Sequence, residues 1–247
     1  IEKDFLWIKQ QSAGFNVELE DASDKLSLIA LQGPKALDIL RSITKDELPL
    51  RFEHKYIYLN GIDCLMAHTG YTGEEGVEIF VKNDEAKALW DLLLERGRLF
   101  NLKPCGLSAR DSLRLEAGLL LWGQDMDEST SPLEAGLMFA VDLNKDFIGQ
   151  EALLRKKQQG PQKKLVGFIL KDRGVARHES PVLDQGQKQV GLVTSGTYLP
   201  EKKLGVGFAY VTPETKLGQD VFIDIRGRLA QAVIKKTKFL NNGAHHE

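Results

Sequence analysis

Cysteine is nearly missing. Cys64 and Cys105 lie far apart and neither has a CxxC partner. That excludes a disulfide framework and fits reduced thiols in a cytosol-like compartment. The histidines are His54, His68, His178, His245 and His246, and none forms an HxxxH or HExxH pair. The helical zinc signature is therefore absent. His245 and His246 stand at the extreme C-terminus and read as tag residues, outside any site. Charge of one sign is missing too. Against 33 Lys plus Arg stand 35 Asp plus Glu, a net charge of −2, which removes the global basic field expected of a nucleic-acid binder. No apolar run approaches the roughly 20 residues of a membrane-spanning helix; Leu119–Trp122 is typical of the longest. No start methionine or secretory leader opens the chain. It begins with the charged amphipathic run IEKDFLWIKQQSAGF and reads as processed or as a fragment.

What is present is the balance of a globular protein. Hydrophobic residues make up 42% of the 247 and charged residues 28%, which leaves enough apolar surface for a core. The first half alternates helix and strand signals. Phe5, Leu6, Ile8 and Phe15 suggest a short helix and a loop, and LSLIAL (26–31) a buried strand. Gly33-Pro34 suggests a helix over KALDILRSI with Pro34 at its first position. Phe52–Leu59 and Ile62–Met66 flank Asn60-Gly61, the strongest short hairpin signal in the chain. After the glycine-punctuated loop 70–76 comes a strand, Val77–Val81. Asn83-Asp84-Glu85 then opens a helix that buries Leu89, Trp90, Leu92, Leu93 and Leu94. A further helix is expected to be capped by Ser108, with Asp111 in the capping-box place. Lys156–Lys164 (KKQQGPQKK) has no apolar residue and is the best linker candidate. Beyond it, Leu165–Leu170, Gln189–Val193, Val206–Val211 and Val221–Ile225 read as short strands of a small barrel or sandwich. The fold class is thus α+β followed by a β domain, with domains over 1–158 and 164–247 and a linker over 159–163.

Four stretches carry candidate chemistry. GYTGEEGVE (70–78) lacks the Lys and Ser/Thr of a phosphate-binding loop and reads either as a plain turn or as a pocket holding Tyr71 and Glu78. Glu78 shares a strand face with Phe80, so its carboxylate sits at a rim or has a partner. Arg110, beside Asp111 and one turn before Arg114, reads as a surface ion pair or as a guanidinium fork for a carbonyl or carboxylate edge. GQDMDE (123–128) has three acids but not the calcium-loop pattern, which favours a solvated loop. RHESP (177–181) offers no oriented Ser–His pair, so a serine hydrolase is not supported.

Taken in order, GYTGEEGVE, LSARDSLRLEAGLLLWGQDMDESTSPLEAGL, RHESPV and VTSG resemble the aminomethyltransferase, or T-protein, family of the glycine cleavage system, and LIALQGPKALDIL extends the likeness over essentially the whole chain. The resemblance implies a folate-binding fold, incomplete at its N-terminus, followed by a small C-terminal β-barrel. It also implies transfer of the one-carbon unit from the aminomethyl-lipoyl arm of H-protein to tetrahydrofolate, with release of ammonia and no metal. By motif position Tyr71 would pack on the pterin, Glu78 would accept from its amino-pyrimidine edge, and Arg110 would approach the folate. A carboxylate suits two parallel N–H donors, and a flat ring suits an aromatic face. Arg177 matches a family arginine expected near a domain interface. Trp122 stands where the family commonly has tyrosine. The partner implied is lipoylated H-protein, with no nucleic acid and no membrane. Lys156, Lys157, Lys163 and Lys164 are candidate contacts for an acidic surface. The compartment implied is the bacterial cytoplasm or the mitochondrial matrix.

Family members begin upstream of Ile1, where they carry a catalytic aspartate. None of Asp4, Asp21 or Asp24 sits in its motif, so no catalytic residue is assigned within this chain. Nor does the tail 241–247 contain the tyrosine that some members aim at the folate. Two other readings stay open: a related folate-dependent demethylase or methylene transferase, and a non-catalytic folate-binding fragment. A chain confined to these 247 residues is expected to show little or no transferase activity, with sheet edges and apolar surface left bare. An ammonia-release assay on purified protein of this length checks the expectation, and ordinary activity contradicts it.

Overall fold

The computed structural model describes residues 1–239, so the expectations for the tail and for His245 and His246 lie outside the described residues. The chain divides into two compact units. One comprises Ile1–Gly70 and Glu74–Pro104, and the other Tyr71–Gly73 and the chain from Cys105 onward.

The first unit contains α1 (Glu2–Gln11), β1 (Leu26–Gln32), α2 (Ala36–Arg41), β2 (His54–Leu59), β3 (Ile62–Ala67), β4 (Gly76–Lys82) and α3 (Ala86–Gly97). Its sheet is antiparallel in the order β1-β4-β3-β2. The β2–β3 hairpin closes through Asn60 (φ 51°) and Gly61 (φ 92°), the left-handed pair that a tight two-residue turn demands. Alternation sends Ile57, Cys64, Met66, Ile79 and Val81 to one face, where they pack with Ile39 and Leu40 of α2 and Leu89 and Leu93 of α3. The opposite face carries one row of Leu28, Phe80, Leu65 and Tyr56 across all four strands, and beside it Ala30, Glu78, Ala67 and His54.

Three expectations about the helices need correction. Pro34 lies in a turn, and α2 starts at Ala36 behind Lys35. Gly106, not Ser108, is the N-cap of α4 (Leu107–Ala117); its extended φ of −88° and ψ of 173° suit a cap, and Ser108 is already inside the helix. Trp90 is 42% exposed, because helical spacing aligns Leu89 and Leu93 with the core and turns Trp90 a third of a turn away.

The second unit holds α4, α5 (Gln150–Gln159) and six strands: β5 (Lys164–Leu170), β6 (Pro181–Leu183), β7 (Gln189–Leu199), β8 (Leu204–Val211), β9 (Asp220–Ile225) and β10 (Arg228–Lys235). These close as β10-β5-β8-β7-β6-β9. Two barrel strands escaped the sequence reading. β6 is only three residues long and begins at Pro181. β10 follows a two-residue turn in which Arg226 (φ 56°) takes the place usually given to Asn. Phe168, Val182, Val193 and Ile223 fill the barrel core. Leu115 of α4 joins Leu199, Val206, Phe208 and Phe239 in a second cluster. A Cβ at Gly207 would press into the Ser195 carbonyl oxygen, so glycine there lets β7 and β8 approach closely. The linker candidate is partly helical: α5 runs through Gln159, and residues 160–163 join it to β5 within the second unit.

Cys64 is buried and Cys105 exposed. Burial, with smaller contributions from Glu85 and Asp63, pushes the Cys64 thiol up from 9.0 to about 11. At pH 8 its thiolate fraction is then on the order of one in a thousand. A thiol reagent at pH 8 is expected to titrate one cysteine rapidly in native protein and two in denaturant. Because the folded value is raised, the stability tied to this neutral thiol is intact below about 9 and is lost as pH rises toward about 11. Urea midpoints across that range, compared with Cys64→Ala, check the sign.

Candidate functional site

Within the first unit, Gln32 at the end of β1 explains the glycine spacing of the loop. Its amide Nε2 donates to the carbonyls of Thr69 (3.2 Å) and Val77 (3.1 Å). A Cβ on Gly70 or Gly76 would collide with that amide. The loop therefore closes on a side chain, and only glycine leaves room at those two positions. Glu78 follows on β4 between Ala30 and Ala67 on the neighbouring strands. These small neighbours leave its half-buried carboxylate uncovered on the face opposite the helices. The Thr69 hydroxyl donates to Glu78 Oε2 at 2.6 Å, fixing one oxygen while the other keeps its lone pairs. Nearby in this unit, His68 bridges the Pro49 carbonyl (3.0 Å) and Glu75 (2.9 Å), pinning the loop's flank.

Within the second unit, Tyr71 and Arg110 come together. The Arg110 guanidinium lies 4.8 Å from the centroid of the Tyr71 ring, a cation–π arrangement. The surface Arg110–Asp111 pair weighed from sequence gives way to a different pairing, since Asp111 binds Arg114 (2.8 Å). The Tyr71 hydroxyl donates to the Leu120 carbonyl at 2.5 Å. Burial pushes its phenol above the ordinary value; Arg114 and Arg110 oppose the shift, and Asp125 and Asp111 add to it. Tyr71 thus remains a neutral donor with one ring face occupied by a cation.

Beneath this pair lies a cluster that the sequence reading missed. Asp125, expected on a solvated loop, is 1% exposed, and so is Arg114. Arg114 reaches Asp125 (2.5 Å) and the Leu119 carbonyl (3.2 Å) through Nη1, and Ser195 Oγ (2.9 Å) through Nη2. Asp125 also accepts from the Leu121 amide and from the hydroxyls of Thr194 and Ser195. Both hydroxyls reach one carboxylate oxygen because β7 carries a bulge between Val193 and Ser195. The extra residue spoils the strict alternation that would send consecutive side chains apart. The only sequence signal was the acid-rich turn together with VTSG, and neither shows by itself that the two meet.

The remaining candidates stand apart from this cluster. Arg177 is exposed; its amide donates to Ser180 Oγ (3.3 Å), while His178 binds the Thr194 carbonyl (3.0 Å). Those separate partners fit the absence of a Ser–His dyad. Trp122 is 60% exposed. Lys164 donates to the Pro213 carbonyl (2.6 Å), Lys163 lies over the Tyr210 ring (4.6 Å) and Lys156 faces Glu134 (3.7 Å). Among the described residues no group of three or more His, Cys, Asp or Glu is placed to hold a metal, and no helix is long and apolar enough to cross a membrane.

Comparison with known proteins decides the family. Residues 1–145 match the GCVT N-terminal domain, and residues 163–241 match the glycine cleavage T-protein C-terminal barrel domain. The chain belongs to the glycine cleavage T-protein family. It is 44% identical over 240 residues to an aminomethyltransferase of Pseudothermotoga lettingae, covering 97% of this chain and 66% of that relative. An aminomethyltransferase of Alkaliphilus metalliredigens is 44% identical over 249 residues, with 98% and 67% covered. The crystal structure of glycine cleavage system aminomethyltransferase T from Bartonella henselae superposes with a TM-score of 0.86 at 33% identity, over 97% of this chain and 66% of that one. The T-protein fold expected from the motifs is thus present, closed barrel included, and the chain spans 66% of the length of the first of these relatives.

The Arg114–Asp125 pair generates a stability prediction. Asp125→Ala leaves a buried guanidinium without its counter-charge and is expected to cost about 3–5 kcal/mol, read as a lowered urea midpoint. Glu128→Ala, on an exposed position of the same turn, is expected to change stability by less than about 0.5 kcal/mol.

Proposed function

We propose that this T-protein family chain serves tetrahydrofolate-dependent aminomethyl transfer, in which the one-carbon unit on the lipoyl arm of H-protein passes to tetrahydrofolate and ammonia leaves. The observation that carries the reading is Glu78. It is a carboxylate on an open sheet face, flanked by alanines and oriented by one hydroxyl. Such a group is built to accept from outside the protein, and the pterin amino-pyrimidine edge offers two parallel N–H donors that match it. Tyr71 and Arg110 are assigned to the same ligand on separate grounds. The ring contributes an aromatic face, and the guanidinium contributes donors for carbonyl or carboxylate oxygens. Arg177 and Trp122 are secondary candidates, and both are exposed where a ligand or partner has access. Lipoylated H-protein is the proposed donor. Residues 1–158 are the proposed folate-binding part, and 164–247 the barrel domain.

The chemistry asked of this chain is positioning rather than covalent catalysis. Holding the acceptor amine of the reduced pterin beside the aminomethyl donor converts a bimolecular encounter into an ordered one. Titration of the protein with tetrahydrofolate, followed by calorimetry, tests the reading. Glu78→Ala is expected to weaken binding by about ten- to a hundredfold, the loss of a charge-assisted hydrogen-bond pair. Equal affinity of wild type and Glu78→Ala, or no binding by wild type, overturns it. Tetrahydrofolate-dependent ammonia release from aminomethyl-loaded H-protein separates an enzyme from a mere binder.

A further inference from the structure

We propose that the buried Arg114–Asp125–Ser195 network is the positioning device for the Tyr71–Arg110 pair. The pair's geometry depends on the Leu120 carbonyl, which takes the Tyr71 hydroxyl at 2.5 Å. That carbonyl belongs to a short segment clamped on both sides by the network. Arg114 Nη1 donates to the Leu119 carbonyl (3.2 Å), and the Leu121 amide donates to Asp125 Oδ2 (2.9 Å). Leu120 lies between two backbone groups held by opposite ends of one ion pair.

Arg110 is tied to the same device, because it precedes Arg114 by one turn of α4. The end of that helix is sealed by Gly118 (φ 84°), with the Leu119 amide returning to the Arg114 carbonyl (2.8 Å). The segment thus starts from a fixed helix terminus.

Ser195 locks the pair from the barrel. Its hydroxyl accepts from Arg114 (2.9 Å) and Gln124 (2.8 Å) and donates to Asp125 (2.6 Å). One small side chain therefore touches both members of the ion pair. All three guanidinium nitrogens are engaged, and both carboxylate oxygens accept twice. A fully satisfied buried network has one low-energy arrangement and transmits its geometry rigidly.

Two arms test this, and only the second rests on the folate reading. In the first, fluorotyrosine NMR follows the Tyr71 ring, its signal assigned by loss in Tyr71→Phe. Ser195→Ala is expected to shift and broaden that signal while the barrel core stays folded. A merely structural role would lower the unfolding midpoint and leave the native Tyr71 signal in place, and that outcome overturns the proposal. Should Ser195→Ala fail to fold, Gln124→Ala removes one bond to the same hydroxyl with the ion pair intact, and a smaller shift is expected from it. The second arm measures tetrahydrofolate affinity in a double-mutant cycle. Ser195→Ala and Tyr71→Phe are each expected to weaken binding about three- to tenfold and together no more than the larger single effect. Strict additivity overturns the coupling. If wild type binds no tetrahydrofolate while the Tyr71 signal still moves, the folate reading fails and the positioning role stands.

Discussion

A carboxylate sealed from water beside a guanidinium is the constraint on which the second unit depends. Asp125 and Arg114 are each 1% exposed, and an ion pair so placed must recover its lost hydration from fixed protein groups. Hydroxyls, a backbone amide and a backbone carbonyl supply that recovery here. They come from two parts of the chain far apart in sequence, the turn after α4 and the bulged strand β7. A pair of this kind contributes little net stability compared with apolar packing, but it tolerates few alternatives. Its value lies in specifying one arrangement of the turn that holds Leu119, Leu120 and Leu121.

The first unit uses neutral devices for a similar end. A glutamine amide, two glycines and a threonine hydroxyl shape the loop and the oxygen of Glu78. The helices cover one sheet face with aliphatic side chains, so the acid stands on the other. The Glu78 carboxylate is thus kept half-buried with one oxygen fixed, whereas Asp125 is dry and saturated. Two acids of the same chain owe their different roles to what surrounds them.

Much of this was legible from residues alone where local rules decide. Asn60-Gly61 specifies its hairpin because few other pairs tolerate two left-handed positions. The alternation of GVEIFV places Glu78 with Phe80. The strands of the barrel announce themselves where apolar runs are long, and hide where β6 is three residues and where Arg226 occupies an unusual turn position. Long-range satisfaction is what sequence patterns miss. Nothing near Asp125 indicates a buried cation; its partners arrive from 11, 69 and 70 positions away. Ser108 misled for the converse reason, since a good capping residue just inside a helix, two positions past the true cap Gly106, looks the same as one at its start.

The closed ring of six strands carries a dynamic consequence. An open sheet frays: among the described residues the outer strands β1 and β2 each pair with a strand on one side, and their amides exchange with solvent through small local openings. A ring has no outermost strand, so parting any one ladder strains all the others. Deuterium uptake should therefore be graded across the first unit, fastest at its rims, and close to all-or-none around the second.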